Sequence, residues 1–316
     1  MNLKHWAAAF AAAAIFTASG AALAAMPKEL NIVYVKAPFN LQNMVMKQQG
    51  LLEKAFAKDG VKVNWKTITS GAQQSQAMAA GAVDISAVMN TASLLMANGA
   101  GNPVLIASGV AHPSENFAIV AKKGGPDSIR ALKDKKVVGP RGTVLHQTLV
   151  AALVKNGMKP SDVEFISMSI PAALSAVSSG RADAALLAAS AIVKAEESGC
   201  RGITRATGLV NVNLVMTVRK GFADQSPEAV GKVVQVQRET LKWIRTHWKE
   251  AVEIGAKEHG ISFAQAEALA KRSNYYDTLT EKDLKGLEED QKFLVDNGMM
   301  ARKVNVRSLV LPSALH

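Results

Sequence analysis

Ala77-Met78-Ala79-Ala80-Gly81-Ala82-Val83-Asp84 and Ala176-Val177-Ser178-Ser179-Gly180-Arg181-Ala182-Asp183 decide how this chain is organised. In each, a run of small helix-compatible residues ends at a glycine, and an aspartate follows three residues later. Glycine tolerates the left-handed conformation that closes a helix, and the aspartate is placed to orient the turn into the next strand. One copy carries little weight, because small-residue helices ending in glycine are common. Two copies inside the same order of elements imply two similar lobes.

The flanking residues supply that order. Glu29–Val35 has the β-branched and aromatic content of a strand, and Leu41 to Lys58 suits one helix. Val61, Val63 and Trp65 alternate with Lys62, Asn64 and Lys66, as in a half-buried strand. A helix from Ala72 to Ala80 and a short buried strand from Val83 to Val88 follow. The same succession returns with a strand at Val137-Val138, a helix over Thr143–Asn156 and a strand over Val163–Met168. A helix over Ala172–Ser179 and a strand over Ala184–Leu187 complete it. Strands alternating with helices predict parallel sheets covered on both faces. Two extended apolar runs, Asn116–Lys122 and Asn211–Val218, read as the two crossing strands of a hinge. The expected division is residues 25–122 plus 213–316, with the C-terminal helices, in lobe 1 and residues 123–212 in lobe 2. Ser226-Pro227-Glu228, Ser262 with Gln265, and Thr280-Glu281 are helix starts, the last helix stopping at Gly298.

Residues 1–24 read as a cleavable signal peptide. Lys4 lies in a short basic head, an alanine-rich apolar run follows, and Ala22-Leu23-Ala24 forms a small-x-small end. The run is shorter than the ~20 residues that span a bilayer, so the expected product is an exported periplasmic protein. The formal charge of +11 does not point to nucleic acid, because aromatic residues are 5% of the chain and basic runs are interrupted by acids. A single cysteine, Cys200, excludes an intrachain disulfide framework. Its neighbours Glu196 and Glu197 favour a packed thiol over a nucleophile. No P-loop, Gly-x-Ser-x-Gly or His-Glu-x-x-His motif occurs, and the histidines lie far apart in sequence. No catalytic residue, metal site or cofactor is expected.

The chemistry on offer is instead a set of loop-to-helix junctions. In open α/β sheets, ligands bind beyond the carboxyl ends of the strands. Those ends here are Lys36–Asn40, Ser70-Gly71, Asn90-Thr91 and Arg141-Gly142-Thr143. Each leaves backbone N–H groups of a helix first turn available to an anion.

At these residues the chain resembles the bacterial substrate-binding proteins of ABC importers for aliphatic sulfonates, taurine and nitrate. Gly50-Leu51-Leu52-Glu53-Lys54, Ser70-Gly71 with Gly81 and Asp84, and the stretch from Ser128 to Val138 carry the likeness. Gly142-Thr143-Val144-Leu145-His146 and the tail Lys303-Val304-Asn305-Val306-Arg307 extend it. The resemblance implies an α/β type II periplasmic binding protein fold, two doubly wound lobes joined by a two-strand hinge. It also implies a monomer that delivers a small organic anion to a membrane permease. Val144 and Leu145 stand where members often carry serines, and Ala188-Ala189-Ser190-Ala191 stands in place of a Trp-Asp-Pro-Tyr-like stretch. A roomier, more apolar pocket is therefore expected, and taurine is disfavoured for want of an acid to meet its ammonium. The candidate ligand-binding residues are Lys36, Ala37, Phe39, Asn40, Ser70, Gly71, Asn90, Thr91, His112, Gly142, Thr143, Val144 and Ser190. Two other classes compete: an enzyme on the same fold, of the pyrimidine-precursor synthase or hydroxymethylbilane synthase type, and a sensory solute receptor.

Overall fold

The computed structural model describes residues 26–316. The leader expected at 1–24 lies outside the described residues. Two five-stranded sheets organise the molecule. The first is built from β1 (Glu29–Tyr34), β2 (Lys62–Thr67), β3 (Ile85–Asn90), β4 (Val104–Ala111) and β10 (Leu214–Arg219), in the order β2-β1-β3-β10-β4. The second contains β5 (Phe117–Ala121), β6 (Lys136–Gly139), β7 (Glu164–Ser167), β8 (Ala184–Ala188) and β9 (Arg201–Arg205), in the order β7-β6-β8-β5-β9. The orders correspond strand for strand. In each sheet four strands run in one direction, and one antiparallel strand is inserted before the edge.

The repeated Gly-x-x-Asp performs the same task twice. Gly81 and Gly180 close their helices at φ 71° and 74°. Asp84 accepts from the backbone N–H of Asn31 on the neighbouring strand at 2.9 Å, and Asp183 accepts from that of Lys136 at 3.0 Å. Each aspartate also meets a cation, Arg219 at 3.0 Å and Lys122 at 2.8 Å. The Lys122 ammonium holds the Asp183 carboxyl below the usual aspartate range. Each carboxylate thus pins the start of one parallel strand to the next.

Two expectations are corrected. The helix expected over Leu41–Lys58 is two, α1 (Leu41–Gln48) and α2 (Leu51–Phe56), because Gly50 between them sits at φ 61°. The apolar runs expected to cross the hinge reach the crossing segments only at Asn116 and at 211–213. β5 pairs only with β8 and β9, and β10 only with β3 and β4, so each belongs wholly to one sheet. The chain passes between sheets at His112–Asn116 and again at 206–213. β5 therefore stands in the second sheet, although the expected boundary at 122/123 puts it with the first lobe. Local sequence fixes that a run is extended; its partners fix which sheet it joins.

Helices cover both faces. In the first half, α3 (Gly71–Ala79) and α4 (Thr91–Gly99) follow β2 and β3. In the second, α5 (Val144–Lys155), α6 (Ile170–Ser178) and α7 (Ser190–Glu197) follow β6, β7 and β8. Beyond β10 come α8 (Lys220–Gln225), α9 (Pro227–Thr246), α10 (Trp248–His259), α11 (Phe263–Lys271) and α12 (Glu281–Asp296). Among the described residues, no helix is long and apolar enough to cross a membrane.

Candidate functional site

Four helix N-termini meet where the two sheets face each other. Ser70 precedes α3, Asn90 precedes α4, Thr143 precedes α5 and Ser169 precedes α6. Each follows the carboxyl end of a strand, so the doubly wound topology alone brings these ends together. Between them lies a cavity of ≈ 60 Å³, several times the ~10–15 Å³ that one water needs. Its floor and walls include Val35, Val88, Met89, Phe117, Leu145, Ile170 and Leu214. Its polar residues are Thr69, Ser70, Gln74, Asn90, Thr143 and Ser169. No Asp, Glu, Lys, Arg, His or Cys is among the described residues that line it.

Charge compensation inside the cavity therefore falls to backbone amides. The first N–H groups of a helix have no intrahelical acceptor, and they carry the positive end of the helix dipole. Three of the side chains around them are already engaged. Gln74 donates to the Ile68 carbonyl at 2.8 Å and accepts from the Ser86 hydroxyl at 2.8 Å. Thr143 donates to the Pro140 carbonyl at 2.9 Å, and Ser169 caps α6 by accepting from Ala172 N–H.

Three sets of hydrogen bonds tie the lobes together around this cavity. In the first, Asn90 Oδ1 accepts from Val144 N–H at 3.2 Å, while Ser93 donates to the Gly142 carbonyl at 2.8 Å. In the second, Gln147 on α5 donates to Asp290 on α12 at 2.9 Å. Burial pushes the Asp290 carboxyl up to about 7. The third centres on His259. Its Nε2 lies 3.1 Å from the Lys36 carbonyl, and its Nδ1 lies 2.6 Å from the Ser190 hydroxyl. A carbonyl only accepts, so Nε2 carries the proton and Nδ1 accepts from Ser190. Lys194 adds a bond to the His259 carbonyl at 2.9 Å. Burial, reinforced by the Lys36 and Lys194 ammonium groups, pushes the His259 imidazole down to about 4.

Of the residues singled out in the sequence, Ala37, Ser70, Gly71, Asn90, Thr143 and Val144 line the cavity. The others are placed elsewhere. Phe39 is buried against His259, ring centres 4.9 Å apart, with φ 111° and its carbonyl held by the Tyr275 hydroxyl. Asn40 braces its own loop by donating to the Val35 and Ala37 carbonyls. The Lys36 ammonium points to the Glu258 carbonyl, and the N–H of Thr91 is spent on the Asn213 carbonyl. Gly142, at φ 69°, offers its carbonyl to Ser93. Ser190 faces His259. His112 lies in a separate polar groove of ≈ 740 Å³ beside the crossing segments. There it stacks on Tyr276 at 4.1 Å and meets Asp283 at 3.2 Å. The pocket is apolar as expected but compact, with Met89, Phe117, Leu145 and Ile170 in its lining.

Sequence reading passed over Ser169-Ile170 and His259. The spacing that relates Gly81 to Gly180 also carries Ser70-Gly71 onto Ser169-Ile170, so the repeat held the signal for the former. Nothing local marked His259, whose partners are Lys36 and Ser190.

Curated relatives share part of this sequence, and solved structures share its fold. A relative in Bacillus subtilis (strain 168) named for binding aliphatic sulfonates is 24% identical over 273 residues, 84% of this chain and 81% of its own length. The taurine-binding periplasmic protein of Escherichia coli (strain K12) is 29% identical over 193 residues, 56% of either chain. The alkanesulfonate-binding protein SsuA from Xanthomonas axonopodis pv. citri, bound to MOPS, superposes with a TM-score of 0.79 at 21% identity, over 90% of this chain and 98% of that one. The desulfurization enzyme DSZB shares the fold, with a TM-score of 0.64 at 16% identity over 90% and 97% of the two chains. Residues 53–251 match the family described as NMT1/THI5 like, and the chain belongs to that family.

Proposed function

We propose that the protein is a periplasmic solute receptor of an ABC importer, holding a compact organic monoanion between its lobes and passing it unaltered to an inner-membrane permease. The observation that carries this reading is a cavity with helix N-termini from both lobes and no charged side chain in its lining. Helix termini contribute ~0.3–1 kcal/mol each when exposed and up to ~2 when partly buried. Several together suit a singly charged sulfonate or carboxylate head. A dianion brings more charge than they offset, and a taurine-like zwitterion brings an ammonium that meets no carboxylate. Val88, Met89, Leu145 and Ile170 suit a short apolar body. The names of the relatives support a solute-binding role in the periplasm, and the expected leader supports export.

An enzymatic reading finds less support. Among the described residues, the cavity lining offers no titratable side chain for proton transfer or covalent attack. Cys200 is buried in the core of the second lobe with Leu187, Ile192 and Ala195.

A thermal-shift screen of alkanesulfonates, short carboxylates, taurine, sulfate and nitrate tests the proposal. A guest at ~100 times its dissociation constant adds ~2.7 kcal/mol of stability, a rise of several degrees. The expected responders are small alkanesulfonates and apolar carboxylates, with taurine and sulfate well behind. Silence to every monoanion, or a response confined to cations or sugars, contradicts it.

A further inference from the structure

Asn90 ends β3 and caps α4, and its carboxamide oxygen accepts two backbone amides, Ser93 N–H at 2.9 Å and Val144 N–H at 3.2 Å. The first donor belongs to its own helix and the second to the opposite lobe. Both partners are N–H groups, so the atom facing them is the oxygen, and the direction of the NH₂ group follows. Among the described residues no acceptor engages that NH₂. It lies beside Gly71, where an added Cβ would fall 2.8 Å from Asn90 Nδ2. Asn90 and Gly71 both line the cavity, and Asn90 is only partly buried. The Ser93 bond to the Gly142 carbonyl braces the same junction from the other side. By the internal repeat, Ala189 is the second-lobe counterpart of Asn90, and its methyl group offers no donor.

We infer that Asn90 sets the charge specificity of the cleft. Its oxygen, clamped by amides of both lobes, turns the NH₂ onto the cavity as the side-chain donor that an anionic oxygen meets. The identity of the guest rests on the receptor reading above; the clamp itself does not. The device ties closure to recognition, because the second of the two bonds that fix the donor's direction forms only when α5 reaches Asn90. It also makes the position selective, since an acceptor in place of the NH₂ would repel the guest that the helix N-termini attract.

Asn90→Asp separates these roles. Aspartate caps a helix as well as asparagine does, and its carboxylate retains both amide donors while replacing the NH₂ with a charged acceptor. With propane-1-sulfonate as the probe, the dissociation constant is expected to rise at least 100-fold in Asn90→Asp, with the melting temperature unchanged or higher. Asn90→Ser keeps a cap but loses the donor without adding charge, and a rise of about tenfold is expected. Either variant binding within threefold of the wild type overturns the inference. Amide exchange of the guest-free protein provides an independent reading: the Val144 N–H is expected to exchange about tenfold faster in Asn90→Ala. Equal exchange overturns the clamp whatever the guest is. A wild type that binds no sulfonate, with Val144 protection still dependent on Asn90, fails the receptor reading and leaves the clamp standing.

Discussion

Gly71→Ala is expected to weaken anion binding by about 100-fold and to lower the melting temperature by several degrees. A Cβ at Gly71 would lie 2.6 Å from Ser93 Oγ and 2.8 Å from both Ser93 Cβ and Asn90 Nδ2. Contacts that short force both side chains to turn. The turn breaks the two bonds that join the lobes at Gly142 and Val144. Neutral hydrogen bonds contribute ~0.5–1.5 kcal/mol each, and forcing extra atoms into a packed site costs ~1–3 kcal/mol. The first sum appears in the binding constant and the second mainly in stability. Gly81→Ala is the control. Gly81 also needs its glycine, at φ 71°, but an added Cβ there meets nothing within 4 Å. That variant is expected to lose about 1 kcal/mol of stability and none of the affinity. Calorimetric titration of both variants checks the contrast; a Gly71→Ala protein with wild-type affinity contradicts the geometry.

His259→Gln carries the second large effect, on the pH dependence of stability. His259 is buried, and its folded value near 4 lies below the ordinary imidazole value of 6.5. The unfolded chain therefore takes up a proton first as the pH falls, and stability from this group is lost between about 6.5 and 4. At ~1.4 kcal/mol per pKa unit, the loss is on the order of 3 kcal/mol. His146, half-buried and beside Arg141, is also pushed down to about 4 and acts in the same direction. Asp290 acts in the opposite one. Its folded value near 7 means that the native state holds an extra proton from about 7 down to 4, so acidification stabilises. Because these groups offset, the wild-type curve alone says little about any of them. The difference between variant and wild type is diagnostic. Glutamine retains a donor and an acceptor without titrating, so His259→Gln is expected to gain ~2–3 kcal/mol relative to the wild type between pH 7 and pH 4. Urea unfolding at the two pH values measures this. A difference that does not change with pH contradicts a neutral, buried His259 between the lobes.

What the sequence made legible follows from how local each signal is. Gly81 with Asp84 and Gly180 with Asp183 were readable because a positive φ and a strand-pinning carboxylate are properties of a few adjacent residues. Ser70-Gly71, Asn90 and Thr143-Val144 were readable because the end of a strand and the start of a helix can be seen in composition, and the fold then brings such ends together. Phe39 and Lys36 after β1 and Ser190 after β8 stand at strand ends of the same kind, yet their side chains turn to His259 or away from the cavity. Loop position did not settle side-chain direction. The assignment of Asn116–Lys122 to a crossing strand failed for a related reason: an apolar extended run looks the same whichever sheet receives it. His259 depends on partners 69 and 223 residues away in sequence, beyond the reach of any spacing argument.

The pH dependence of sulfonate binding tests the central claim most directly. With backbone amides as the charge partners and no titratable side chain among the described residues that line the cavity, titration of propane-1-sulfonate between pH 5.5 and pH 8 should give one saturable site. Its dissociation constant should vary by less than about threefold, and taurine should bind at least tenfold more weakly. Taurine binding as tightly as the alkanesulfonate, or an order-of-magnitude change across that range that persists in Asp290→Asn, which removes the lobe-bridging carboxyl near 7, would place a charged side chain in contact with the guest and contradict the account.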